Sequence, residues 1–204
     1  MWDLRLEQHL AKRQQAQQMM NQLGIPVWIT LVADNEAENG HLPLIGAPSG
    51  ASHRAYVLTP TRAVAVAHNI ELEIQGRYGF EMLEMDIRNA IPPLAKNLAS
   101  IVGNNGVTPI ALNYSHQFSN VDTIGHGSLE LLAKELEHAN YFTSNHERFV
   151  SADQLIFTLA STKLPYEIDL LKEAAQVTNE VLIEGFRHMH SGMTEQDVAN
   201  LFTE

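Results

Sequence analysis

Cysteine is absent from the 204 residues. That excludes disulfides, a thiolate nucleophile and any cysteine-rich zinc site. Long apolar runs are missing too: the longest, such as Ile25 to Val32, stop well short of the ~20 residues a membrane helix needs. Basic charge is scarce. Lys and Arg number 13 against 24 Asp and Glu, the formal net charge is −11, and the basic residues are scattered. Such a balance disfavours a phosphate backbone or an anionic bilayer, so no nucleic acid and no membrane are expected as partners. The start, Met1-Trp2-Asp3-Leu4-Arg5, lacks the basic and then apolar stretch of a secretory signal. A cytoplasmic location is the expectation.

Apolar residues make up 45% and charged residues 18%, enough to bury a core in one domain, or in one domain plus part of another. Residues 3–23 suit a helix with Asp3 as N-cap and Gly24 past its end. Ile25 to Val32 reads as a buried strand. Residues 34–52, with three glycines and two prolines, read as a long loop. Arg54–Thr59 and Arg62–His68 flank Thr59-Pro60-Thr61 as an antiparallel pair, and Gly79–Met85 reads as a further strand. A helix is expected within Asp86–Val102, regular from Pro92 and Pro93 onward, stopped by Gly103-Asn104-Asn105-Gly106. Val107–Asn113 then reads as a strand, Ser128–Ala139 as a helix capped by Ser128, and Tyr141-Phe142 as a short strand. Alternation of this kind predicts an α/β layer structure.

Beyond about Thr143 the pattern becomes helical. Ser151 to Gln154 has a capping-box spacing. Pro165 opens a long helix with Glu167 and Asp169 in its first turn. Its apolar stripe is Ile168, Leu171, Ala175, Leu182, Phe186 and Met189. Thr194 caps one more helix.

The constellation Lys163-Leu164-Pro165-Tyr166-Glu167-Ile168, then Ala174-Ala175, then Gly192-Met193-Thr194-Glu195, resembles the opening of the catalytic domain in creatinases, prolidases and aminopeptidase P enzymes. Upstream, Ser52 to Pro60, Ile110 to Ser115 and Asp122 to Gly127 look like parts of that family's smaller amino-terminal domain. The resemblance implies a mixed five- or six-stranded sheet with helices on both faces over residues 1–150. Residues 151–204 would then hold a linker helix and the first two helices of a truncated pita-bread domain. In that family two divalent metals, Mn, Co or Zn, are held by two aspartates, a histidine and two glutamates, and activate a bridging water. All of these lie beyond the Gly-Met-Thr-Glu turn. No catalytic residue and no metal ligand therefore maps onto this chain, which is expected to be inactive alone.

The same resemblance places His53 and Arg54 near substrate, where an arginine could bind a carboxylate through two parallel hydrogen bonds; a solvated or structural Arg54 is the alternative. It implies a homodimer and, in the whole enzyme, a short peptide substrate. A non-catalytic peptide- or protein-binding module of the same fold, and an amidinohydrolase part, stay open beside the Xaa-Pro peptidase.

Other patterns carry less. His188 and His190, two apart on a helix, would point to nearly opposite sides and not share an ion. His146-Glu147 begins like a zincin motif, but Val150 stands where the second histidine belongs. Gly125-His126-Gly127 lacks the third glycine of a dinucleotide fingerprint and reads as a tight turn. Gly46-Ala47-Pro48-Ser49-Gly50 is no nucleophile elbow and reads as a flexible loop. Trp28 and the Met19-Met20 pair read as packing residues.

Overall fold

The computed structural model describes residues 2–32, 41–48, 53–85, 89–103, 106, 109–142 and 148–202. It divides into two compact units, Met1–Thr162 and Lys163–Glu204. The expected loop segments at 34–40 and 49–52, the helix approach at 86–88, Asn104-Asn105, Val107-Thr108 and the His146-Glu147 pair lie outside the described residues.

In the first unit, β1 (Val27–Val32) and the hairpin β2 (Arg54–Leu58) and β3 (Ala63–Ala67) are buried at every position, as strands covered on both faces must be. Thr59 closes the hairpin. Its N–H donates to the Arg62 carbonyl at 2.9 Å, and its hydroxyl accepts from the Arg62 N–H at 2.9 Å. The full sheet has six strands in the order β4-β3-β2-β1-β5-β6, with β4 spanning Glu81–Glu84, β5 Ile110–Leu112 and β6 Phe149–Ser151. Only β2 runs antiparallel to its neighbours. The mixed sheet expected from the sequence is therefore the one found.

Side chains alternate between the faces with the period of two a strand imposes. Val27, Ile29, Leu31, Val57, Val64 and Val66 face α3 (Ile91–Val102) and α4 (His126–His138), whose Leu94, Leu98, Leu132 and Leu136 are fully buried. Trp28, Val32, Tyr56, Leu58 and Ala65 face α1 (Trp2–Leu23), the short 3-10 turn Pro43–Ile45 and α5 (Asp153–Ser161). On this second face α5 buries Leu155, Ile156 and Leu159. It lies past residue 150 in sequence yet belongs to the first unit by its packing.

Several elements differ from the sequence reading. Asp3 lies within α1, which already includes Trp2. Helix α2 (Asn69–Arg77) had no counterpart in the sequence reading. Its Ile70, Leu72 and Ile74 alternate as in a strand, while the residues it buries are Glu71 and Gln75. Ser128 sits inside α4, whose N-cap is Gly125, so Gly125-His126-Gly127 forms a helix start rather than a separate turn. Tyr141-Phe142 is not a strand: Tyr141 folds back, its N–H on the Leu136 carbonyl, and buries its ring under α4, leaving the strand to Phe149–Ser151. Ser151 forms no capping box; the N-cap of α5 is Ala152, and the Ser151 hydroxyl accepts from the Asp153 N–H at 3.1 Å. Gly46 and Ala47 belong to no flexible loop. Gly46 adopts φ 60°, a Cβ there would lie 2.0 Å from the His9 carbonyl oxygen, and Ala47 is buried. Only glycine fits so close a backbone approach at that φ.

In the second unit, α6 (Pro165–His188) begins with the Leu164 N–H donating to the Glu167 carboxylate at 2.7 Å. After Gly192 at φ 98°, Thr194 caps α7 (Glu195–Asn200), its hydroxyl accepting from the Asp197 N–H at 3.2 Å. Gly185 of α6 lets the Phe202 ring pack where a Cβ would stand. The stripe on α6 is exposed: Ile168 42%, Leu171 55%, Leu182 42% and Phe186 60%.

Candidate functional site

Because β2 alone is antiparallel, its first residue lies at the end of the sheet where β1, β3 and β5 finish; Arg54 pairs with Val32, the last residue of β1. In open α/β sheets this is the end where ligand sites form, at the point where strand order reverses. Here the reversal falls between β1 and β5, since the chain runs outward to β2 on one side and to β5 on the other.

His53 and Arg54 both lie here, and both are tied inward. The His53 Nδ1 accepts from the Ala90 N–H at 3.3 Å, linking β2 to the start of α3. Arg54 is 1% exposed, which overturns a solvated role: its side chain points along the face covered by α2. Its Nη1 donates to Glu71 Oε2 at 3.1 Å, while Nε and Nη2 meet no acceptor among the described residues. One strand position further in register, the Tyr56 hydroxyl donates to Gln75 Oε1 at 3.2 Å. Burial, with Glu71 adding, pushes the Tyr56 hydroxyl's pKa up against the nearby Arg54, so it stays a protonated donor. Glu71 and Gln75, one turn apart on α2, are thus the partners of two alternate residues on β2.

A second polar cluster stands beside the strand reversal. Asn113, directly after β5 and 2% exposed, accepts from Trp28 Nε1 at 2.6 Å through Oδ1. Its amide nitrogen reaches Thr30 Oγ1 at 3.4 Å and His41 Nδ1 at 3.2 Å. Burial lowers the His41 pKa from 6.5, and a bond to the Asn120 backbone opposes that. Trp28 is therefore more than core packing.

Two further features frame the unit. Arg13 of α1, 4% exposed, donates to the carbonyls of Ile45 (3.3 Å), Gly46 (2.9 Å), Tyr78 (2.7 Å) and Gly79 (3.0 Å), with its guanidinium 3.5 Å from the Phe80 ring centroid. Burial lowers its pKa to about 10, which leaves it charged at neutral pH. On the opposite face, α3 and α4 border a cleft of about 700 Å³ lined by Glu84, Lys96, Glu135 and His138 among others.

His188 ends α6 and His190 follows it, and each Nδ1 meets a backbone carbonyl, of Glu184 at 2.9 Å and of Ser191 at 3.2 Å. The two do not share a helix, since the helical residues end at His188. Among the described residues no group of three histidines or carboxylates is placed to hold a metal ion, and no helix is long and apolar enough to cross a membrane. Glu71, Gln75, His41 and Asn113 had no signal in the sequence pattern.

The first unit is therefore an open α/β sandwich: a mixed six-stranded sheet, one antiparallel strand, helices on both faces. Solved peptidases share it. The whole chain is similar to the Xaa-Pro dipeptidase from Bacillus anthracis, with a TM-score of 0.64 and 17% identity over 95% of this chain and 47% of that one. It is similar to the X-Pro aminopeptidase from Thermotoga maritima, with a TM-score of 0.63 and 16% identity over 91% of this chain and 47% of that one. An Xaa-Pro aminopeptidase structure from Streptococcus thermophilus matches 76% of this chain over 98% of its own length, with a TM-score of 0.50 and 11% identity. The chain thus spans about half the length of the first two. At these identities the likeness establishes the fold. No family profile and no curated protein matches the chain.

Proposed function

We propose that this chain is the amino-terminal, non-catalytic part of a metal-dependent Xaa-Pro peptidase of the creatinase, prolidase and aminopeptidase P family. It shapes substrate access and takes part in a homodimer in the cytoplasm. One observation supports this most: the match takes in over nine-tenths of the chain but only about half of the dipeptidase and aminopeptidase structures. The exposed apolar stripe of α6 is the second support, since a contiguous apolar face of this kind is normally covered by a further surface. In this reading the two divalent metals, Mn, Co or Zn, and the peptide-cleaving groups belong to the remaining half, and none of residues 1–204 is assigned as a ligand.

His53 and Arg54 hold the substrate-facing end of β2. Arg54 Nε and Nη2, which meet no acceptor among the described residues, are the donors a substrate carboxylate would use. Because the side chain is closed off within its unit, that contact requires the unit to open around it. In the full-length enzyme, Arg54→Ala should raise KM for short peptides. The pair Arg54→Met with Glu71→Leu removes the charges while keeping apolar volume; an unchanged KM in that folded variant would refute substrate contact and leave a structural clamp.

The family proposal is tested by reading the coding sequence past the Glu204 codon and assaying the longer product with Mn²⁺ on Xaa-Pro dipeptides and tripeptides. An in-frame continuation with two aspartates, a histidine and two glutamates in family order, and metal-dependent cleavage, are the expected results. A stop codon directly after Glu204 would contradict the proposal and favour the peptide-binding module.

A further inference from the structure

Helix α2 docks on the sheet by its polar side. Only Glu71 and Gln75 of this helix are buried, and none of its side chains belongs to, or packs against, either apolar cluster of the first unit. Ile70 and Ile74 point outward, 79% and 46% exposed. So short a helix has little stability of its own and depends on tertiary contacts. Its two buried side chains reach β2, where Glu71 accepts from Arg54 Nη1 at 3.1 Å and Gln75 Oε1 accepts from the Tyr56 hydroxyl at 3.2 Å. The chain is held firmly on either side of it. Before α2, β3 is buried throughout; after it, Arg13 grips the carbonyls of Tyr78 and Gly79, and Phe80 is buried. A segment with few apolar contacts between two anchored ends can open locally while the rest stays folded.

What α2 holds is an arginine with one edge unused. Arg54 Nε and Nη2 lie on the same side of the guanidinium, the edge that meets a carboxylate through two parallel hydrogen bonds. Both are buried and meet no acceptor among the described residues. Glu71 engages only Nη1, with Oε2 at 3.1 Å and Oε1 at 3.5 Å. Whatever else Glu71 touches, its hold on Arg54 is the weaker of the two arrangements a carboxylate can adopt there.

We propose that α2 is a lid over Arg54 with Glu71 as its latch: an incoming carboxylate takes the free edge of the guanidinium, Glu71 is released, and α2 opens. This rests on the reading of Arg54 as a carboxylate-binding residue and adds what governs access to it. The exchange keeps the arginine paired, because one carboxylate replaces another and the guanidinium is never left without a counter-charge. Gln75 gives up a single neutral hydrogen bond from Tyr56, a smaller loss than the charged one. The ligand binds the open state and not the closed one, so it raises the open population by mass action.

The test is amide hydrogen exchange of the 204-residue chain at neutral pH, with sodium acetate replacing sodium chloride at constant ionic strength. In chloride, the amides of α2 should exchange faster than those of α3 and α4. A charge-assisted hydrogen bond of ordinary strength corresponds to a Kd of about 0.1 M. At that affinity, about 0.5 M acetate should multiply the open population, and with it the exchange of α2, roughly sixfold, while α3, α4 and β1 to β3 are unaffected. In the double variant Arg54→Met with Glu71→Leu the acetate response should vanish. Protection of α2 equal to that of α3 and α4, no acceleration by acetate in the wild type, or the same acceleration in the double variant would each overturn the proposal; the two wild-type results decide it if the variant does not fold. An α2 indifferent to acetate, beside a full-length Arg54→Ala enzyme with raised KM, would remove the lid and keep the substrate contact. An acetate response beside an unchanged KM would keep the lid and remove the peptide.

Discussion

Replacing Glu71 with leucine would strand a buried guanidinium. The Arg54–Glu71 contact is 3.1 Å long, with side chains 1% and 11% exposed, and two other Arg54 nitrogens meet no acceptor among the described residues. At an effective dielectric near 20 the attraction at this distance is about 5 kcal/mol. Desolvation of each ion costs several kcal/mol in return, so the intact pair adds little net stability. Losing one partner is another matter, because the desolvated charge that remains has lost its counter-charge. The expected loss is about 3–5 kcal/mol, a large part of the roughly 5–15 kcal/mol that holds an ordinary domain together. Urea unfolding followed by the fluorescence of Trp28, fully buried in the core, should show the midpoint falling by roughly 2 M for a typical slope of about 2 kcal/mol per M. The double variant Arg54→Met, Glu71→Leu should return to within about 1 kcal/mol of the parent. A single-variant shift below about 0.3 M, or a double variant as unstable as the single, would show that Arg54 reaches water and would refute the buried-clamp reasoning.

Arg13→Met should cost about 3 kcal/mol or more, because four carbonyls lose a charged donor together; Arg13→Lys should rescue little, since one ammonium cannot span them, and thermal melting checks both. Gly46→Ala should cost at least about 2 kcal/mol, from the positive φ and the 2.0 Å approach to the His9 oxygen; a melting temperature equal to the parent's would count against the close packing of α1 on the 3-10 turn. The α6 stripe predicts self-association or dye binding by the 204-residue chain, both reduced by Leu171→Glu with Phe186→Glu; a clean monomer in sedimentation that binds no hydrophobic dye would contradict an exposed apolar face.

What the sequence showed and hid follows from where each residue finds its partner. The runs of β1 to β3 are buried on both faces, so unbroken apolar stretches announced them, and Thr59-Pro60-Thr61 marked the hairpin. The long helix α6 was legible from Pro165 and its 3.6-residue stripe. By contrast, α2 turns its polar side inward, burying Glu71 and Gln75 and leaving Ile70 79% exposed, which inverts the pattern that periodicity reads. The Arg54 partner sits on that same helix, so the pair was invisible although Arg54 itself was singled out. An aromatic pair after a helix reads as the start of a strand, but the burial of Tyr141 comes from folding back onto α4. Asn113 and His41 lie 72 positions apart, and nothing local links them.

The most direct measurement of the central proposal is peptide hydrolysis by the longer gene product, with and without added Mn²⁺, compared with residues 1–204 alone. The account predicts metal-dependent release of the residue before proline by the longer chain and none by the shorter. Cleavage of Xaa-Pro peptides by residues 1–204 alone, or a longer chain that folds, binds Mn²⁺ and leaves those peptides intact, would contradict it.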